Sequence, residues 1–394
     1  MSRIPVPLFV VLLAACGGDG DDPVVAGGGT ASLLAPVDAP VESGGDGGNA
    51  SRDDVVVSGN DRTTFRDEET GSVWTLTGLA IDGPLAGAQL QQLPAYSAYW
   101  FAWSSFWPNT DVWGQQDGSG EYAESAFQPI ESGFVPDVPI DAIPPLDDPF
   151  AGFGWALFEP AEDSGLRDAD IVVGVEVDGD ARAYPVQILN FHEIVNHTVG
   201  DRELIVTYCP LTASGIAFEG GETFGNTGGL FNNNMVMYDR TSRSFWSQMG
   251  LSVIRGDRAG DRLTLYPVFQ GTWHAWRELF PHTTVLSAET GYSRNYDRDI
   301  YIVSGYTESR EIWFSQSASI DPRFHPKAMT LGLIGASGSR AYVFERLSTI
   351  GDHAVINDDF EGQPVVIAFD EPARMAVPFS RVVADRTLTF SVIR

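Results

Sequence analysis

Apolar positions along this chain come in short runs. IVVGVEV (171–177), ELIVTY (203–208), MVMY (235–238), IYIV (300–303), AYVFE (341–345), PVVIAF (364–369) and RTLTFSVI (386–393) are β-branched or aromatic stretches bounded by Gly, Asp and Asn. Each has strand length and strand composition, so each predicts a strand. Helical spacing is rarer. Trp273, Trp276 and Phe280 fall at i, i+3 and i+7, with Thr272 placed to cap the turn and Pro281 placed to end it. Those aromatics read as core. The pattern predicts a mainly β, β-rich α+β body with a few short helices.

Self-comparison adds organisation. Residues 67–114 align with 239–287 through Trp74/Trp246, Gly87/Gly260, Pro94/Pro267, Trp100/Trp273, Trp103/Trp276 and Pro108/Pro281. Call these A and A′. GVEVDGDARAY (174–184) aligns with GLIGASGSRAY (332–342), HEIVN (192–196) with HAVIN (353–357), and ELIVTY with PVVIAF. These are B and B′. The body reads as a pseudo-duplicated A–B–A′–B′ array with a boundary near residue 228.

The first residues carry an address. MSRIPVPLFVVLLAAC has Arg3, a short apolar run and a Leu-Ala-Ala-Cys end. The run is too short to span a bilayer. It reads as a lipoprotein signal peptide (1–15), with Cys16 as the acylated residue that holds the chain to a membrane. Residues 16–60 are Gly-rich and acidic and read as a tether. Residues 61–136 read as an upstream repeat unit with its connector, and 137–394 as the main domain. The expected location is the bacterial cell envelope, periplasm-facing or on the surface.

IPPLDDP (143–149), RAYPVQILNFHE (182–193), TYCPLTASGIAF (207–218) and YDRTSRSFWSQM (238–249) form a recognisable set. GTWHAWRELFPHTTVLS, GYSRNY and HPKAMTLGL extend it to the C-terminal part. The set resembles a bacterial and archaeal family catalogued as domain of unknown function 3179, over roughly residues 140–394. The resemblance implies no activity. Many members resemble Cys-Pro-Leu-Cys where this chain has Cys209-Pro-Leu-Thr212, so a two-thiolate redox or metal motif is absent. On this reading the A copy lies upstream of the resemblance, as an added unit.

The copies locate candidate chemistry by contrast. B has His192-Glu193 and Cys209 where B′ has His353-Ala354 and Asp370; A′ has Ser247-Gln248 where A has Thr75-Leu76. Polar and nucleophilic groups thus concentrate in B and A′. Cys209, ending a strand-like run, is a candidate nucleophile or metal ligand, with His192 as base or ligand and Glu193 as its orienter. Ser247, Gln248 and Asn233 are candidate ligand-binding residues. Copper or another transition metal could take Cys209, His192 and one of Met235, Met237 or Met249. A zincin is excluded, because Asn196 stands where a second His is required, and no GxSxG surrounds Ser247.

Charge and composition sharpen this. The net charge is −29, from 53 acids and 24 bases. No basic surface exists for nucleic acid. Two cysteines exclude a disulfide-framed fold. Every base but Lys327 is Arg. A single Lys under that bias marks a position where guanidinium does not substitute, and Lys327 joins the ligand-binding candidates. Two functions fit: a small-ligand or metal site with thiol-dependent catalysis, or a non-catalytic scaffold for envelope proteins.

Overall fold

The computed structural model describes residues 64–115, 140–141, 143–147, 154–314 and 321–393. Cys16, the signal segment and the tether lie outside the described residues. The described body is β-rich, with several sheets and five short α-helices among those residues. No helix among them is long and apolar enough to cross a membrane.

The central strand hairpin, Arg202–Cys209 with Ser214–Glu219, sits in a ten-stranded sheet. Its alternating apolar side chains are buried on both faces, which explains the continuous ELIVTY run. Tyr96–Tyr99 lies between Ser214–Glu219 and Met329–Ile334 in the same sheet. Residues 67–114, read from the sequence as an added unit, thus contribute a strand to the central sheet.

Two strand-and-helix arrangements share local detail. Phe269–Thr272, Ile171–Val177, Asp180–Pro185 and Thr284–Leu286 are neighbours in that order. Tyr96–Tyr99, Met329–Ile334, Ser339–Val343 and Asp111–Val112 are neighbours with the same pattern of antiparallel and parallel pairs. The A-type segment thus pairs with the B-type segment remote from it in sequence. Helices Trp100–Phe106 and Trp273–Leu279 follow the first strand of each set. Trp103 Nε1 donates to Thr110 at 3.1 Å, and Trp276 Nε1 donates to Thr283 at 2.9 Å. Trp74 Nε1 donates to Asp67 at 2.9 Å, and Trp246 Nε1 to Asp239 at 2.8 Å. Gly332 lies under the Trp103 ring and Gly174 under Trp276, so close that a Cβ at either glycine would overlap the indole.

The helix at Trp273–Leu279 starts as expected, with Thr272 Oγ1 accepting from the Ala275 amide. Trp273 and Trp276 are core residues. IYIV corrects the strand expectation: Ile300–Val303 is a helical turn. Asp299 caps it by accepting from the Tyr301 and Ile302 amides, a local bond stronger than β-propensity in an isolated four-residue run. AYVFE also divides, since the strand ends at Val343 and a helical turn begins at Phe344.

The chain closes on itself. Thr64–Asp67 pairs with Phe390–Val392, joining the first and last described strands in one sheet.

Candidate functional site

Cys209 ends its strand and is fully buried. The loop after it is held from several sides. The Tyr99 amide donates to Thr212 O at 2.8 Å, Gln270 Nε2 to Ala213 O at 3.1 Å, and Tyr306 OH to Leu211 O at 2.8 Å. Burial pushes the thiol up to about 12, and the nearby Glu193 carboxylate adds to the shift. The Thr212 hydroxyl and the Met235 and Thr212 amides favour the thiolate but do not overcome burial. Cys209 is a neutral thiol at rest.

Glu193 follows helix Val186–His192 and adopts a left-handed backbone, φ 56°. Its amide donates to Leu189 O, and its carbonyl accepts from Tyr208 N, both at 2.8 Å. Glycine is the usual residue at such a helix end, so a glutamate there holds mild backbone strain. Its carboxyl lies close enough to Cys209 to raise the thiol further. Burial raises that carboxyl to about 7, although Asn226 Nδ2 donates to Oε2 at 2.7 Å. Oε1 has no hydrogen-bond partner among the described residues.

Four tyrosines complete the cluster. Tyr208 feels the charges of Tyr99, Asp299, Cys209 and Tyr301; Tyr301 feels Glu193, Cys209, Asp299 and Tyr306. Burial raises all four phenols above their ordinary range. The hydroxyls of Tyr99, Tyr208 and Tyr301 have no hydrogen-bond partner among the described residues. Tyr99 and Tyr208 are more than nine-tenths buried. No sequence pattern singled out these phenols. They come from three separate segments, around Tyr99, Tyr208 and Tyr301–Tyr306, and only folding joins them.

His192 is placed differently. Its Nδ1–H donates to Pro144 O at 2.7 Å, and its Nε2 accepts from Tyr296 OH at 2.6 Å. Tyr296 is in turn bonded to Thr290 at 2.6 Å. Burial lowers the imidazole to about 4. Both nitrogens are committed, and no hydrogen bond joins His192 to Cys209 among the described residues. The base and metal-ligand roles expected of His192 lack a free nitrogen. Among the described residues no group of three His, Cys, Asp or Glu side chains is arranged to hold a metal. Met235, Met237 and Met249 are packed in the main core.

The remaining polar candidates, Gln248, Ser247, Asn233 and Lys327, are hydrogen-bonded to the scaffold. Gln248 Oε1 accepts from Ser214 at 2.9 Å and Asn234 at 2.7 Å; its Nε2 donates to Thr207 at 2.8 Å and Ser214 O at 3.1 Å. All four of its hydrogen-bonding positions are thus occupied by protein. Ser247 Oγ accepts from the Gly250 amide at 3.0 Å. Asn233 Nδ2 donates to Trp313 O at 3.1 Å. Lys327 is buried, and its Nζ donates to the carbonyls of Tyr306 at 2.7 Å, Ser309 at 3.2 Å and Glu311 at 3.0 Å. Burial lowers its ammonium to about 8, opposed by Glu311.

A separate open cavity of about 320 Å³ lies at the far end of the Arg202–Cys209 strand, lined by Asp201, Arg202, Glu203, Glu219 and Gly220. It contains none of the candidate residues.

A family model described as a protein of unknown function (DUF3179) matches residues 29–110 and 140–394. The match takes in the first repeat unit, so that unit lies within the family's extent. Comparison with curated proteins and with solved structures returns no match.

Proposed function

Because the chain belongs to the DUF3179 family, whose name assigns no activity, its function rests on the site, and we propose that the tyrosine-lined cluster binds a small polar ligand with Cys209 as nucleophile. One observation carries this. The hydroxyls of Tyr99, Tyr208 and Tyr301 and Glu193 Oε1 lie in one neighbourhood with the Cys209 thiol, without protein partners among the described residues. Hydrogen-bonding groups that the scaffold leaves unused are open to a ligand. A ligand with hydrogen-bonding atoms satisfies them.

The chemistry follows from the protonation states. The sulfur attacks an electrophilic carbonyl carbon, the thiol proton passes to the Glu193 carboxylate, and the carbonyl π pair moves to oxygen. Tyr208 and Tyr301 are the phenol donors available to that oxygen. Glu193, not His192, is the base.

The test uses the full chain carrying Cys16→Ser, treated with iodoacetamide and followed by intact mass. A single adduct on Cys209 is expected under native conditions, at a rate rising with pH and lowered by Glu193→Gln. Labelling that occurs only as fast as the chain globally unfolds would overturn the reading.

Acylation of Cys16 and an exported, membrane-tethered location belong to the same proposal. They rest on the Leu-Ala-Ala-Cys end of the apolar run. Palmitate labelling in a bacterial host that disappears in Cys16→Ser is the expected result; labelling that persists removes the anchor.

A further inference from the structure

The segment from Asp299 to Phe314 has two unlike faces. Its inner side contributes Tyr301, Tyr306 and Trp313, which pack against one another in edge-on and tilted contacts with ring centroids 4.5–6.0 Å apart. Tyr301 and Tyr306 are two of the four tyrosines around Cys209. Its outer side exposes Ile302, Val303 and Phe314, at 64%, 65% and 67%. Little regular structure holds it, because its one helix is the four-residue turn Ile300–Val303.

Polar tethers hold it instead. Asn190 Nδ2 donates to Asp299 Oδ2 at 3.0 Å at the start of the segment. Tyr306 OH bonds to Leu211 O, in the loop that follows Cys209. Asn233 Nδ2 bonds to Trp313 O near the end. Between them Lys327 gathers three carbonyls, those of Tyr306, Ser309 and Glu311. Its Nζ also lies 3.4 Å from the Tyr306 ring centroid and 5.6 Å from that of Tyr99.

We propose that residues 299–314 are a strap over the Cys209 cluster, and that Lys327 is the residue that positions it. The inference rests on the ligand-site reading above and gives Lys327 a role within it. A tetrahedral ammonium sends one N–H to each of three carbonyls spread over six residues. A planar guanidinium holds its donors in a fixed fork and does not reach the same three acceptors while lying on a tyrosine face. Loss of the ammonium frees the three carbonyls and loosens Tyr306, which holds both the Cys209 loop and the cluster wall. Asn233 acts at the other end of the same segment.

The experiment measures the rate at which iodoacetamide labels Cys209 in the Cys16→Ser chain, as a function of urea below the unfolding transition. Local opening has a weak urea dependence, and global unfolding a steep one. Lys327→Met is expected to raise the native labelling rate at least tenfold with weak urea dependence, and Lys327→Arg to raise it similarly. Asn233→Ala, a milder change, is expected to raise it severalfold and stands in if Lys327→Met does not fold. If labelling in the variants stays at the wild-type rate, or rises only with the steep dependence of unfolding, the strap is overturned. If wild-type Cys209 itself reacts only through global unfolding, the ligand-site reading fails instead.

Discussion

Asn226 donates its side-chain amide to Glu193 Oε2 at 2.7 Å. It is the one hydrogen bond that this buried carboxyl receives among the described residues. Asn226 is itself fixed, with Oδ1 accepting from Gly228 N at 2.6 Å and its own amide donating to Asp141 at 3.0 Å. One donor is too little to offset burial, and the carboxyl remains half-protonated near neutrality.

Stability should therefore respond to Glu193 between pH 4.5 and pH 7. The folded-state value is raised above the unfolded one, so the contribution is complete below about 4.5 and is lost as pH rises through about 7. The loss is roughly 3 kcal/mol by linkage. Glu193→Gln removes this slope. Urea unfolding at pH 4.5 and pH 8 should show the variant gaining on the wild type by that order across the interval. Parallel pH profiles would refute the assignment.

His192 runs the other way. Its folded value, about 4, lies below the ordinary 6.5, so its contribution is complete above 6.5 and is lost as pH falls through 4. Tyr296→Phe removes the donor to Nε2 and should cost about 1–2 kcal/mol at pH 7. A change within a few tenths of a kcal/mol would mean that the imidazole has another partner.

Gln248 is placed to report on the scaffold beneath the thiol. Gln248→Leu removes one hydrogen bond at once from each of Asn234, Ser214 and Thr207, which keep their bonds to Thr212 and to Ile216 O. A destabilisation of about 4 kcal/mol is expected from the network as a whole. Thermal denaturation of the variant measures it, and a loss under about 1 kcal/mol would show that these groups repartner freely.

Gly332→Ala drives a methyl into the Trp103 indole. The expected loss is about 3 kcal/mol, and Gly174→Ala should lose a similar amount against Trp276. Near-neutral substitution at either site would show that the indole moves aside at little cost.

Much of the scaffold was legible because short continuous β-branched runs report burial directly. Arg202–Cys209, Ile171–Val177 and Gln363–Asp370 are strands where the β-branched residues placed them. IYIV misled because its outcome depends on one capping side chain, Asp299, that lies outside the run. The prominence of Cys209 and Glu193 came from contrast between aligned segments. The tyrosines did not, since an aromatic in a strand looks the same whether its hydroxyl is bonded or bare. Gln248 and His192 looked chemical because they are polar. Folding spends their polarity internally, and no spacing rule distinguishes a saturated side chain from an available one. The pairing of 96–99 with 329–334 was likewise hidden, because register across more than two hundred residues leaves no local mark.

The union of Thr64–Asp67 with Phe390–Val392 bears on the order of assembly. The opening strand of the described body has no permanent neighbour on that side until residues 390–392 have been delivered. A chain emerging from its N-terminus holds that edge unpaired until then, with this closure the longest strand-to-strand loop among the described residues. Closure of that edge is therefore a late event. Trimming a handful of C-terminal residues should undo structure at the beginning of the body as well as at its end.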